Sequence, residues 1–192
     1  MYNRNTNTRE TILKAAMAAL VDGNFTDISM QSVAQACGVT KPTLYYYYSS
    51  KKGLFVALAS HVMEELKGIV RRELDSDRNL RDSLISITEQ MLAPKTSPDI
   101  AKVHLAFIQD PNLRALVPSL RSDMNEMNDL LSALFGRAVT RGEIRKDLDI
   151  VTAGRIFASV LHGYISQKSC GGPEYRAIRP QAIVDVMLHG ID

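Results

Sequence analysis

An all-α fold is expected from three features of this 192-residue chain. Apolar residues recur at helical spacing, no stretch alternates with a period of two, and glycines and prolines stand where helices would start or stop. About nine helices are expected. Three short ones form an N-terminal domain over residues 1–52, and the remainder builds a larger helical domain over 53–192.

The first helix is expected to start at Asn7, a possible N-cap with Glu10 as its capping-box partner, and to end at Gly23. Ile12, Ala15, Ala16, Ala19 and Leu20 form its apolar face. Ser29 is an N-cap candidate for the second helix, whose Met30, Val33, Ala34 and Cys37 keep the same period. Gly38 follows at once and suits the left-handed conformation that closes a helix. Thr40 caps a third helix, and Pro42 is tolerated in its first turn because the amide there has no intrahelical partner.

Beyond Ser50 the pattern predicts a fourth helix over 51–74, with Leu54, Leu58, Val62, Leu66, Ile69 and Val70 on its apolar side. Asp75-Ser76-Asp77 breaks it. A fifth runs over 80–92 and a sixth over 98–109. A seventh starts at Pro111, is kinked or split by Pro118, and ends at Gly142. An eighth spans 150–168 and a ninth 180–189, separated by the Gly171-Gly172-Pro173 loop.

Two short helices joined by a glycine-containing turn form a helix-turn-helix, whose second helix enters the major groove of DNA. Here that second helix carries Thr40-Lys41-Pro42-Thr43-Leu44-Tyr45-Tyr46-Tyr47-Tyr48. Tyrosine hydroxyls and lysines can reach phosphate oxygens, and small apolar groups can touch a thymine methyl. A run of four aromatics flanked by hydroxyls and lysines fits a helix with one face in its own core and the other against nucleic acid.

Residues 8–58 resemble the DNA-binding domain of the TetR family of transcriptional regulators. The resemblance rests on Ile12-Leu13-Lys14-Ala15-Ala16, Gly23-Asn24-Phe25-Thr26, Ser29-Met30-Gln31-Ser32-Val33-Ala34, Ala36 through Tyr48, and Ser50-Lys51-Lys52-Gly53-Leu54-Phe55. Each piece is weak alone; the set is specific. The family commonly has histidine and phenylalanine at Tyr47 and Tyr48, so a buried Tyr48 would need a partner for its hydroxyl. Lys52 and Gly53 also depart from the family's acidic residue and alanine, and both weaken the start of the fourth helix.

Together with helix geometry, the resemblance implies DNA contacts from Thr40, Lys41, Pro42, Thr43, Tyr45, Tyr46, Tyr47 and Lys51. Thr26, Ser29 and Gln31 are secondary phosphate candidates, while Leu44 and Tyr48 face the domain core. Lys41 is the best candidate for a guanine edge. The last two helices expose generous apolar stripes, Ile156, Val160, Leu161 and Tyr164 on one and Ile183, Val186, Met187 and Leu188 on the other. The resemblance implies that they pair across a homodimer, placing two reading helices on an inverted-repeat operator. It also implies a cavity among helices 4 to 7 for a largely apolar small-molecule effector. Candidates to line it are Met63, Thr88, Met91, His104, Phe107, Met124 and Met127, with Gln109 nearby. The expected function is a repressor released from double-stranded DNA by that effector. The alternative is a DNA-bound scaffold acting through a protein partner, without a small ligand.

Composition narrows the other classes. Net charge is +2; residues 1–52 hold six Lys or Arg against three Asp or Glu, and the rest 17 against 18. So mild a bias leaves affinity to placement and to doubling of the site. Cys37 and Cys170 fit neither a disulfide framework nor a metal site, and no cofactor is expected. His61 with Glu64 or Glu65 reads as a solvated face. No paired carboxylates, nucleophile elbow or phosphate loop suggests an enzyme. The longest apolar run, 15–21, is far short of the roughly 20 residues of a membrane span, and a cytoplasmic location is expected.

Overall fold

The computed structural model describes residues 4–92, 103, 106, 107, 110–170 and 178–189. Among the described residues there are α-helices and a short 3-10 segment, and no strand. The helices are α1 (Arg4–Asp22), α2 (Met30–Ala36), α3 (Lys41–Tyr47), α4 (Lys51–Leu74), α5 (Leu80–Leu92), α6 (Pro111–Arg114), α7 (Arg121–Thr140), α8 (Ile150–Cys170) and α9 (Pro180–His189), with the 3-10 segment at Val117–Leu120. No described helix is long and apolar enough to cross a membrane.

Local chemistry sets most of these boundaries. Ser29 accepts a hydrogen bond from the Ser32 amide at 3.0 Å, and the Ser32 hydroxyl accepts one from the Ser29 amide, so serine completes the capping box. Helix α2 ends in a Schellman arrangement. Gly38 takes φ +68°, its amide donates to the Gln35 carbonyl, and the Val39 amide donates to the Ala34 carbonyl. Gly142 repeats the device after α7 at φ +72°, with Gly142 donating to Val139 and Glu143 to Ala138. Ser50 starts α4, its hydroxyl accepting from the Gly53 amide at 3.0 Å, which offsets the weak first turn of Lys52 and Gly53.

One expectation needs adjustment, one lies mostly outside the described residues, and the split expected at Pro118 is present. Asn7 is not an N-cap: helical structure begins a turn earlier, at Arg4, because the hydrogen-bonded ladder continues past the point where the apolar stripe fades. Residues 98–109 lie mostly outside the described residues; 103, 106 and 107 are helical. The helix expected from Pro111 is split, as Pro118 led one to expect. Asp110 caps α6 through the amides of Asn112 and Leu113, Pro118 sits within the 3-10 segment, and α7 starts afresh at Arg121.

The chain divides into two compact units, Met1–Met63 with Asp99–Arg121, and Glu64–Pro98 with Ser122–Asp192. Helix α4 contributes to both. In the first unit α1 packs on α2 and α2 on α3. Its core includes Ile12, Ala16 and Leu20 of α1, Val33 and Ala34 of α2, Leu44 of α3, and Leu54, Phe55 and Leu58 of α4. Phe25 meets Phe55 edge to face at 4.9 Å.

The second unit is built around Val70, Leu84, Ile87, Leu134, Phe135, Phe157 and Val184, with α5 packed against α9. Its polar interior is organised by two bases. Arg137 donates to the carbonyls of Glu73, Leu74 and Ser76 at 2.7–3.0 Å, and so satisfies the end of α4. Lys67, nearly covered, meets Asp123 at 3.0 Å, Glu126 at 2.5 Å and Glu64 at 3.0 Å. Arg71 bridges Glu64 and Glu126 beside it. Burial pulls against the Lys67 charge, but the hydrogen bonds it donates to Glu126, Asp123 and Glu64 prevail and hold its pKa above the usual lysine value.

Candidate nucleic-acid interface

Helix α3 has two faces of different chemistry. Leu44 and Tyr48 turn into the first unit's core, while Thr40, Lys41, Pro42, Tyr45 and Tyr46 are exposed, and Thr43 and Tyr47 are half-buried. Tyr46 is the most open of the described tyrosines at 81 % exposure and meets Tyr47 edge to face at 5.3 Å. The face follows from the sequence: apolar groups four residues apart, at Leu44 and Tyr48, lie one turn above each other and fix which side looks out. Thr40 anchors the N-terminus. Its hydroxyl accepts from the Thr43 amide at 3.2 Å and lies 2.7 Å from the Thr43 hydroxyl, so these two expected contacts are also partners of each other.

The surrounding candidates sit on the same unit. Thr26, Ser29 and Gln31 are exposed. Thr26 lies on the α1–α2 connection, where the Asp27 amide donates to the Asn24 carbonyl at 3.1 Å and the Asn24 side chain donates to Asp27. The Ser29 hydroxyl is committed to capping α2. Lys51 is half-buried and directs its ammonium inward, to the Phe25 carbonyl and, at 3.4 Å, to the Thr26 carbonyl. The same ammonium stands 4.2 Å from the centre of the Phe25 ring. Burial pulls the Lys51 pKa down, opposed by the charges of Asp27 and Asp110.

Tyr48 departs from what its chemistry asks. It is buried, and among the described residues its hydroxyl has no hydrogen-bond partner. Arg9 lies over the ring at 5.7 Å, near enough for its charge to act on the phenol but without a hydrogen bond of good geometry. Burial raises the Tyr48 pKa, and Arg9 opposes it. Cys37 is half-buried and points its thiol at the Val33 carbonyl, 3.0 Å away, as a small residue finishing α2.

The residues expected to line an effector cavity fall in both units. Met63 is half-buried and Phe107 buried in the first unit. Thr88 is buried in the second, its hydroxyl donating to the Leu84 carbonyl at 2.7 Å. Met91 and Met127 pack on the second unit's core, and Met124 is exposed. His104 and Gln109 lie outside the described residues. A groove of about 830 Å³ in the second unit is lined by Leu80, Phe135, Ile144, Leu148 and Met187 with charged Arg81, Glu143 and Asp149, and by none of the expected effector residues. Among the described residues no cluster of three or more His, Cys, Asp or Glu could hold a metal.

Helices α8 and α9 divide their apolar residues between two duties. Leu161, Tyr164 and Ile183 are buried against the chain's own unit, and the Tyr164 hydroxyl donates to the Ile178 carbonyl at 2.9 Å. Met187 and Leu188 are partly buried on the same core. Ile156, Val160 and Val186 stay exposed. The Lys67 cluster and the inward turn of Lys51 were not anticipated. The spacing Glu64, Lys67, Arg71 on one helical face was a visible signal for part of the cluster; Asp123 and Glu126, over fifty residues away, had none.

A chain that is helical throughout its regular described elements, and whose N-terminal unit presents a short, capped, tyrosine-rich helix after a glycine turn, is a helix-turn-helix protein. Residues 12–58 match the family described as bacterial regulatory proteins, tetR family. The transcriptional regulator UidR of Escherichia coli (strain K12) is 20% identical over 162 residues, covering 83% of this chain and 80% of that protein. The transcriptional repressor LfrR of Mycolicibacterium smegmatis is 26% identical over 185 residues, covering 96% and 90%. Among solved structures, FadR of Bacillus subtilis in complex with stearoyl-CoA superposes with a TM-score of 0.79 at 15% identity, covering 95% of this chain and 99% of that one.

Proposed function

We propose that this DNA-binding transcriptional regulator acts as a homodimeric repressor, reading an inverted-repeat operator with the exposed face of α3 and leaving it when a largely apolar small molecule binds. The observation that carries the reading is the division of α3. Leu44 and the C-cap Tyr48 are fixed in the core, so Thr40, Lys41, Pro42, Tyr45 and Tyr46 stand outward together. Lys41 supplies the cation for a base edge, and the tyrosine hydroxyls reach phosphates. Ile156, Val160 and Val186 are the exposed apolar groups for pairing two copies, which doubles the contacts of a weakly basic reader. Stearoyl-CoA in the FadR relative supports an effector with a long apolar chain.

Selection of bound duplexes from a random pool tests the reading, because it returns half-site sequence and spacing together. Two inverted half-sites about one helical turn apart, or a multiple of it, are expected. Enrichment of no sequence at low salt would remove the proposal. Adding long-chain acyl-CoA thioesters to the selected complex tests release, with a coupling of about 1–3 kcal/mol expected, that is, a several-fold or larger loss of occupancy.

A further inference from the structure

We propose that Lys51 is a positioning residue for DNA binding, holding the α1–α2 corner in place, and does not itself neutralise a phosphate. The inference rests on the DNA-binding reading above but assigns this lysine a different task from the basic residues of α3.

Three observations place the ammonium. It bonds the Phe25 carbonyl and, at 3.4 Å, the Thr26 carbonyl. It sits 4.2 Å from the Phe25 ring centre, on the π-face that attracts a cation. Its neighbours in charge are Asp27 and Asp110, both acidic. Two carbonyl oxygens, a ring face and two carboxylates make a local environment of negative potential, which holds the cation on the protein side. A lysine serving only as a phosphate ligand would keep its head in solvent, as a strongly hydrated point charge on a flexible stem.

The corner held this way matters for the interface. It carries exposed Thr26 and leads into Ser29, the cap of α2, so its carbonyls set where those two hydroxyls stand. Phe25 also meets Phe55 of α4 edge to face at 4.9 Å. Lys51, the first residue of α4, therefore clasps a loop whose aromatic anchor belongs to the same helix. Without the ammonium, two carbonyls lose a charged donor, and the corner keeps the ring contact and its internal Asn24–Asp27 hydrogen bonds but loses its tie to the first residue of α4.

Counterion release separates the two roles. Each phosphate contact adds about 0.9 to the slope of log affinity against log salt on B-DNA. Lys51→Met keeps the apolar stem and removes the charge. For the duplex selected above, read well below the unfolding temperature, Lys51→Met is expected to bind several-fold more weakly with an unchanged salt slope. Amide hydrogen exchange of the unbound protein over residues 23–29 is expected to accelerate, and Lys51→Arg, whose guanidinium can reach the same carbonyls, is expected to restore protection. A slope shallower by about 0.9 per half-site in Lys51→Met overturns the proposal, and so does wild-type protection over 23–29. The exchange arm needs no DNA, so failure of the operator selection and failure of this assignment are read separately.

Discussion

Lys67 Nζ stands 3.0 Å from Asp123 Oδ1 with the lysine side chain only 2 % exposed, and this pair joins α4 to α7 inside the second unit. The lysine stem is covered, yet the carboxylates around its tip remain open to solvent to different degrees, Asp123 least. The cluster is therefore partly solvated, and its contribution falls below that of a dry ion pair.

Removing the base should leave Glu64, Asp123 and Glu126 facing one another with only Arg71 between them. Lys67→Met is expected to lower stability by about 1–3 kcal/mol, less than the full cost of orphaning a buried charge. Denaturant unfolding checks it through a lowered midpoint at unchanged m. An unchanged midpoint would mean that solvent already neutralises the carboxylates.

Acid should dismantle the same cluster. Hydrogen bonds from Arg71 and then Lys67 hold the Glu64 carboxyl below the usual glutamate range, and Lys67 followed by Arg71 does the same for Glu126. A depressed folded-state pKa gives stability that is complete above the unfolded value and is lost as pH falls through the folded one. The stability gap between wild type and Glu64→Gln/Glu126→Gln is thus expected to be widest near neutrality and to close below the ordinary glutamate value. Carboxyl carbon NMR titration checks the cause directly: ordinary midpoints at both positions would contradict it.

Tyr48 offers the opposite sign. Its buried hydroxyl has no partner among the described residues, so Tyr48→Phe removes an uncompensated polar group without opening a cavity. A gain of about 1 kcal/mol is expected. The side chain faces the core, so affinity for the selected duplex should hold. Thermal unfolding decides the matter, and a lowered Tm would reveal that the hydroxyl is satisfied in solution.

Lys41 tests the reading face. Lys41→Ala is expected to cost about 1–3 kcal/mol of binding to the selected duplex and to relax base preference at one position. Comparing affinities for that duplex and for random DNA discriminates. Equal losses on both would restrict Lys41 to phosphate contact.

Local sequence chemistry was enough to locate α2 and α3, their caps at Ser29 and Thr40, and the two glycine turns at Gly38 and Gly142. Every partner in those devices lies within five residues, so the needed groups appear together in the sequence. The outward face of α3 was legible for the same reason, since Leu44 and the residue that closes the helix, Tyr48, stand four apart. The expected pairing surface was legible only as a stripe. Helical spacing showed that Leu161, Tyr164 and Ile183 are apolar along with Ile156, Val160 and Val186, but not which trio the chain would bury for itself.

The order of the helices, their punctuation and the side of α3 that looks outward belong to the sequence, because backbone hydrogen bonds and side-chain period are local. Tertiary structure alone decided that Lys51 turns inward to Phe25 and Thr26, and that Lys67 is enclosed by Asp123 and Glu126. It also decided that the Tyr48 hydroxyl goes without a partner among the described residues. A charge or a hydroxyl takes its partner from whatever packing brings within about 3 Å, and packing draws on residues far apart along the chain.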